Sequence, residues 1–349
     1  MIKIQPPKIY TKKKDLPSGV VVVEYYKEAL RELFFINNPK FKKEIPKSEF
    51  ALKKFLKNNN VDEVWIYFPW RNIAVHTVSE DNYFKLRTAR NKNIITEKEQ
   101  KSYRESVVGI IGMSIGSASL SSLVATGGPK NLKIADFDTI EISNLNRMHA
   151  TLLDVGKNKC IVAAQRAWEL DPFANIEPWQ EEIKTTTAKN FIIGKPKLNV
   201  LVDAMDTLDT KVRARIICRK NKIPVVMATS NGDSAIIDVE RFDLEPNREF
   251  FHGSIGEINE ESLKKLSARN NYQQWLKMAT KIVDPKILSK CMRISVKQIG
   301  KTIAGVPQIG TTVNLSAAAV SYVVRKITSG QEMPSGRYLV DLEEKLTHK

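Results

Sequence analysis

Val107–Val108–Gly109–Ile110–Ile111 is an uninterrupted apolar run that stops at Gly112 and gives way to the small residues Ser114, Gly116, Ser117 and Ala118. A run without polar alternation reads as a parallel strand covered on both faces. The small residues then open a helix over roughly Ser114 to Val124. The same beat recurs downstream. Asn131 to Ala135 reads as a strand, and Gly156 to Leu170 has helical spacing at Ile161, Ala164 and Trp168. Val200–Leu201–Val202 ends at an aspartate, Lys211 to Arg219 reads helical, and Pro224–Val225–Val226–Met227 is strand-like. Strands and helices alternating at this period call for right-handed crossovers and a sheet with helices on both faces. The expected fold class is α/β, a Rossmann-like doubly wound, mostly parallel sheet. Residues 257–290 read as polar and helical, and Val313 to Ile327 as a buried closing helix.

The N-terminal third has another texture. Val20 to Leu33 reads as a strand running into a helix, and Phe50 to Leu56 as a short helix. Val64 to Phe68, stopped by Pro69, pairs as a hairpin with Ile73 to Val78. Residues 86–105 read as a polar connector entering a helix, with Thr96 and Glu99 in capping-box register. The expected domains are a small α+β region over 1–85, a main domain over 86–330 and a tail over 331–349. No repeat or low-complexity tract stands out.

Composition narrows the function classes. The chain has 55 basic and 39 acidic residues, a net charge of +16, and residues 1–100 hold 20 basic against 12 acidic. That excess suits a polyanion or an acidic partner. Patches such as Lys12–Lys13–Lys14 lack the interleaved aromatics of a nucleic-acid groove, and solvated lysine-rich faces account for them equally. Cys160, Cys218 and Cys291 form no CxxC pair, so neither a disulfide scaffold nor a structural zinc site is expected. No long apolar run or secretory leader is visible, and the expected setting is the reducing cytoplasm, away from any membrane.

The unit around Gly112 occupies the place of a GxGxxG phosphate loop, with Ser114 and Ser117 where that pattern has its second and third glycines. Asp136 ends the next strand 24 residues after Gly112, where an acid accepts hydrogen bonds from ribose hydroxyls. Asn144, Arg147, Lys157 and Lys159 follow, and cations beside a nucleotide suit a triphosphate rather than a dinucleotide. Asp206 ends a strand at the same edge of the sheet and is a magnesium-ligand candidate. Bland alternatives exist for each: surface lysines, a turn at Asn144, a helix-capping Asp206. None explains their order. Asp203 reads as a helper of Asp206 or a cap. His149 and His252 read as loop and turn histidines, and the five tryptophans as packing residues.

Taken together, Arg87–Thr88–Ala89–Arg90–Asn91, the loop Gly112 to Ser117, Ala135–Asp136–Phe137–Asp138, Ser143 to Arg147, Gly156–Lys157–Asn158–Lys159 and Asp203–Ala204–Met205–Asp206 resemble the ThiF/MoeB/ubiquitin-activating-enzyme superfamily of adenylyltransferases. Pro307 to Ile327 is similar to that family's closing helix. Ile223 to Gly256 more closely resembles a bacterial subgroup, some of whose members are fused to nitroreductase-like domains.

The resemblance implies a role for each matched residue. Gly112, Ser114, Gly116 and Ser117 would form the phosphate loop, and Asp136 would hold the ribose. Asn144, Arg147 and Lys159 would serve the phosphates, and Asp206 would bind Mg2+. Arg90, with Arg87 as the less favoured alternative, would reach into a partner subunit's site in a homodimer. The implied reaction is attack of a carboxylate on ATP to give an acyl-adenylate. The implied substrate is the C-terminus of a ubiquitin-like or sulfur-carrier protein or of a peptide. Alternatives are a degenerate nucleotide-binding module, a tRNA-modifying activator and an NAD(P)-dependent oxidoreductase. The sequence departs from the family at Ser114, Ser117 and Lys211, in the missing zinc CxxC pairs, and in lacking a familiar thioester cysteine. Cys291 lies where relatives carry a crossover loop. Cys160 and Cys218 read as core thiols.

Overall fold

The computed structural model describes residues 4–43, 45–256 and 272–346. Its contacts divide the chain into two units: residues 1–100 with 167–173, and residues 101–166 with 174–349. The division falls near 100 rather than at 85, and the smaller unit takes a return segment that the sequence did not advertise.

The smaller unit holds a four-stranded sheet in the order β1-β3-β4-β2, made of β1 (Lys8–Tyr10), β2 (Val21–Glu24), β3 (Glu63–Phe68) and β4 (Ile73–Val78). The β3–β4 pair is the expected antiparallel hairpin, closing at Phe68 opposite Ile73. Its turn places Asn72 at φ +52°, a left-handed conformation that asparagine tolerates. Helices α1 (Tyr26–Asn37), α2 (Ile45–Asn58) and α3 (Glu80–Thr88) complete the unit. Ala29, Leu30 and Leu33 lie on one stripe of α1 and bury against Val78. The imidazole of His76 stacks between Tyr26 and Trp65. Its Nδ1 lies 2.5 Å from Glu24 and its Nε2 2.9 Å from Glu63. Arg87 pairs with buried Asp171 at 3.1 Å. The capping box at the start of α4 (Glu97–Glu105) forms as expected: the Thr96 amide donates to Glu99, and the Glu99 amide donates to the Thr96 hydroxyl.

The larger unit is a seven-stranded sheet in the order β11-β10-β9-β8-β5-β6-β7. β5 (Val107–Ile111), β6 (Asn131–Ala135), β7 (Asn175–Trp179), β8 (Val200–Asp203) and β9 (Val225–Asn231) run parallel. β10 (Ser234–Glu240) and β11 (Gly336–Asp341) add antiparallel partners. The mostly parallel, doubly wound class is therefore correct. A separate tail from 331 is not, because β11 extends the sheet. From β5 the chain moves outward through β6 to β7, then returns to place β8 on the other side of β5. That reversal opens a crevice at the carboxyl end of β5.

Helices α5 (Ile115–Ala125), α6 (Lys159–Leu170), α7 (Thr185–Ile193) and α8 (Leu208–Lys220) supply the crossovers. The expected closing helix is α11 (Gly310–Thr328), whose Val313 and Ala317 pack on Ile115 and Ala118 of α5. Of the polar helical stretch expected over 257–290, α9 (Tyr272–Val283) and the start of α10 (Lys290–Val296) are helical, while 257–271 lie outside the described residues.

Candidate nucleotide site

A cleft of about 270 Å³ opens at the sheet's point of reversal. Four strand ends and two helices build it, the second giving Thr210 of α8. Ile111, Gly112 and Ser114 come from the β5 end, Ala135 to Asp138 from β6, Glu181 to Ile183 from β7, Ala204 to Thr207 from β8, and Lys159 from the first turn of α6. Backbone bonds lace these ends together: Gly112 N–H donates to Ala135 O, and Ala204 N–H to Ile111 O.

Gly112 is obligatory. Its φ is +93°, and a Cβ there would lie 2.3 Å from the Ala204 carbonyl oxygen. Gly116 serves a different need: a Cβ would meet Ile110 at 2.9 Å and Met113 at 3.0 Å, so its absence lets α5 pack close on the strand. Ser117 bonds back to the Ser114 carbonyl. Ser114 sits at the N-cap of α5 but does not cap it. Its hydroxyl accepts instead from Arg147 Nε at 3.2 Å. The serine that replaces a glycine thus anchors the arginine, while the first amides of α5 have no side-chain cap and suit an anion. Arg147 is further fixed through Nη1 to the Ser143 carbonyl and Asn146 Oδ1.

Asp136 accepts from Met113 N–H at 2.6 Å and Asp138 N–H at 2.9 Å, so it shapes the phosphate loop as well as facing the cleft. Burial raises its pKa from the ordinary aspartate value, against those bonds and Lys159. Lys159 is held 2.9 Å from Asp138 Oδ2. Asn158 caps α6 through Oδ1 and ties it to the Asp136 and Asp138 carbonyls. Two expected neighbours go elsewhere. Asn144 does not line the cleft; its Oδ1 accepts from Glu141 N–H and closes a short turn. Lys157 turns to Asp154 at 3.2 Å.

Asp206 lines the cleft and makes no hydrogen bond or ion pair among the described residues. It is exposed at the mouth, yet crowding protein atoms strip enough water to raise its pKa, against the pull of Lys211, Lys159 and Arg147. Its neighbour Asp203 behaves oppositely, and neither helps Asp206 directly nor caps the helix. Asp203 is fully buried, 2.8 Å from Lys211 and 2.6 Å from Arg215, and Arg215 reaches Glu240 at 2.6 Å. Burial works to raise the Asp203 pKa, and the two cations outweigh it and hold it down. Asp203 also accepts from Met205 N–H, so the buried ladder fixes the loop that carries Asp206.

One free carboxylate suits a magnesium ion that arrives with phosphates, because that ion commonly takes one or two protein carboxylates and completes its shell with phosphate and water. Among the described residues, no group of three or more His, Cys, Asp or Glu side chains is placed to hold a metal without such help.

The family is decided by extent. A model of the ThiF family matches residues 87–343. The chain belongs to the ThiF family. Over 282 residues it is 36% identical to an uncharacterized protein of Mycobacterium tuberculosis, MT1398; the match covers 81% of this chain and 38% of that protein. The chain therefore spans well under half of that relative's length. It is 25% identical over 187 residues to the tRNA threonylcarbamoyladenosine dehydratase of Bacillus subtilis, covering 53% of this chain and 72% of that one. Among solved structures, Escherichia coli MccB with ATP aligns with a TM-score of 0.50 at 18% identity, over 88% of this chain and 80% of that chain, a likeness of fold.

The remaining expected residues lie apart from this cleft's lining. Arg90 is exposed just beyond α3 in the smaller unit, and Arg87 is committed to Asp171. Cys291 is exposed on α10, its Sγ 3.1 Å from the Ser289 hydroxyl. Cys160 and Cys218 are buried, and burial pushes both thiols well up. His149 bonds Asn314, and His252 sits between Arg248 and Asp238. Phe137 lines the cleft from within a matched motif that gave it no role, and Glu181, Glu182, Ile183, Thr207 and Thr210 line it unannounced by any motif.

Proposed function

We propose that this chain is an ATP- and magnesium-dependent adenylyltransferase that activates a carboxylate as an acyl-adenylate. The observation that carries the reading is the convergence of the bare α5 N-terminus, Lys159, Asp136 and Asp206 on one cleft, with Arg147 tied to its wall. A substrate carboxylate oxygen attacks the α-phosphorus. The new O–P bond forms as the bridging α–β bond breaks, and pyrophosphate leaves with that electron pair. No protein nucleophile or proton transfer is needed, only in-line positioning and neutralisation of charge. Asp136 holds the ribose, the α5 amides and Arg147 hold phosphate oxygens, and Lys159 meets the charge that grows on the leaving group. Asp206 holds the magnesium ion, which draws charge from the phosphoryl oxygens when bound.

The substrate class we favour is the C-terminus of a small ubiquitin-like or sulfur-carrier protein, or of a peptide. A tRNA-linked carboxylate is the second reading, supported by the likeness to a tRNA-acting dehydratase and by the charge of +16. We further propose a cytoplasmic homodimer in which Arg90 acts across the interface. No described helix is long and apolar enough to cross a membrane. The test is exchange of labelled pyrophosphate into ATP, screened with peptides and small proteins ending in Gly-Gly and with tRNA. Carboxylate-dependent exchange supports the reading. ATP binding with no exchange for any candidate turns the chain into a nucleotide-holding module.

A further inference from the structure

Phosphates at the N-terminus of α5 and a ribose at Asp136 leave one direction for the base. Beyond Asp136 the wall is made by Phe137, just past β6, and by Glu181, Glu182 and Ile183, just past β7. Phe137 leaves 52% of its surface open and offers a face on which a planar base stacks. The two glutamates differ. Glu182 is engaged, with Lys184 3.9 Å from its carboxylate. Glu181 is exposed and makes no hydrogen bond or ion pair among the described residues. It is an uncommitted acceptor at the base end of a cleft whose other end is cationic.

Resting on the nucleotide reading above, we propose that Glu181 determines base specificity, with Phe137 covering the ring. An ionised carboxylate only accepts hydrogen bonds. The exocyclic amino group of adenine offers it a donor, whereas the O6 of hypoxanthine or guanine sets acceptor against acceptor. Facing position 6 of the ring, Glu181 selects an amino group there by attraction and rejects an oxo group by repulsion. A role in folding alone would not discriminate between two triphosphates that differ only along the C6–N1 edge of the base.

The experiment is calorimetric titration of the full chain, with magnesium, by ATP, ITP and GTP, repeated for Glu181→Ala and Phe137→Leu. The wild type is expected to favour ATP over ITP by about tenfold, well below the discrimination of a closed polar site because Glu181 is exposed. Glu181→Ala is expected to bring the two within about twofold while the thermal midpoint stays put, since the side chain is exposed. Phe137→Leu is expected to weaken ATP and ITP alike. Equal wild-type affinities for ATP and ITP, or an ATP/ITP ratio unmoved by Glu181→Ala, overturns the base assignment and leaves the triphosphate reading standing. Failure of the wild type to bind any nucleotide overturns both.

Discussion

Arg215 joins two carboxylates inside the sheet's own helix layer, and its removal has a calculable cost. Arg215, Asp203 and Glu240 are all fully buried. Arg215 Nη1 lies 2.6 Å from Asp203, Nε lies 2.6 Å from Glu240, and the guanidinium sits 3.8 Å from the Phe251 ring centroid. In Arg215→Met the apolar volume is largely kept, and Asp203 retains Lys211. Glu240 retains only the Phe251 amide. Breaking a buried pair by removing one partner costs about 3–5 kcal/mol, and this case belongs near the middle because one carboxylate keeps a cation.

The pH dependence has a definite sign. Asp203 has a lowered pKa in the native wild type, so its contribution is present above the unfolded carboxylate value and is lost as pH falls. In the variant Asp203 keeps one of its two cations, so this contribution is smaller there. The gap between wild type and variant therefore widens from about pH 3 to pH 7.5. Urea unfolding followed by circular dichroism measures it at both pH values, and Arg215→Met with Glu240→Leu is expected to recover most of the loss. A gap under 1 kcal/mol at pH 7.5, or one that narrows with rising pH, refutes the ladder as the element that fixes the Asp206 loop.

Other outcomes follow from the same geometry. Asp206→Ala is expected to abolish pyrophosphate exchange with the unfolding curve unchanged, and Lys159→Met or Arg147→Met to lower its rate by about 10²–10³; unchanged exchange removes the residue from the site. Asp154 is held at about 2 by bonds from Thr151, Lys157 and Arg166 that outweigh its burial. Its replacement by Ala is expected to cost about 2 kcal/mol at pH 7, a difference that shrinks as acid unfolding proceeds from pH 4 towards 2. Disulfide-forming thiol reagents are expected to titrate Cys291 alone in the native protein and all three cysteines in urea. A second fast native thiol contradicts the burial of Cys160 and Cys218.

The central strands were legible because β5, β8 and the start of β9 are buried on both faces and read as plain apolar runs, while β6 carries a buried Lys133 whose ammonium donates to the Phe191 and Gly194 carbonyls. β7 was not legible, since Pro178 interrupts it. Proline is tolerated there because β7 is the edge of the sheet. β10 carries a turn signal, the two-residue Gly232-Asp233 loop that joins it to β9 in a hairpin, with Gly232 at positive φ. In the site, Gly112, Asp136, Lys159 and Asp206 were readable because each stands at a strand or helix end in a fixed order. Lys157 and Asn144 were misread as cleft residues because proximity in sequence does not reveal direction. Glu181 carries no pattern, since the sheet's reversal rather than its spacing brings it to the cleft, and Phe137 stands in a matched motif without a role of its own. Lys211 stands as a departure from the family pattern, and its ammonium is committed to Asp203.

The most direct measurement is calorimetric titration of ATP into the chain with and without magnesium, alongside NAD. One ATP site that weakens about tenfold or more when magnesium is withheld, with NAD bound far more weakly, is the expected result, because Asp206 beside the fixed cations Lys159 and Arg147 suits a metal-bridged triphosphate. Tight NAD binding, or ATP affinity indifferent to both magnesium and Asp206→Ala, contradicts it.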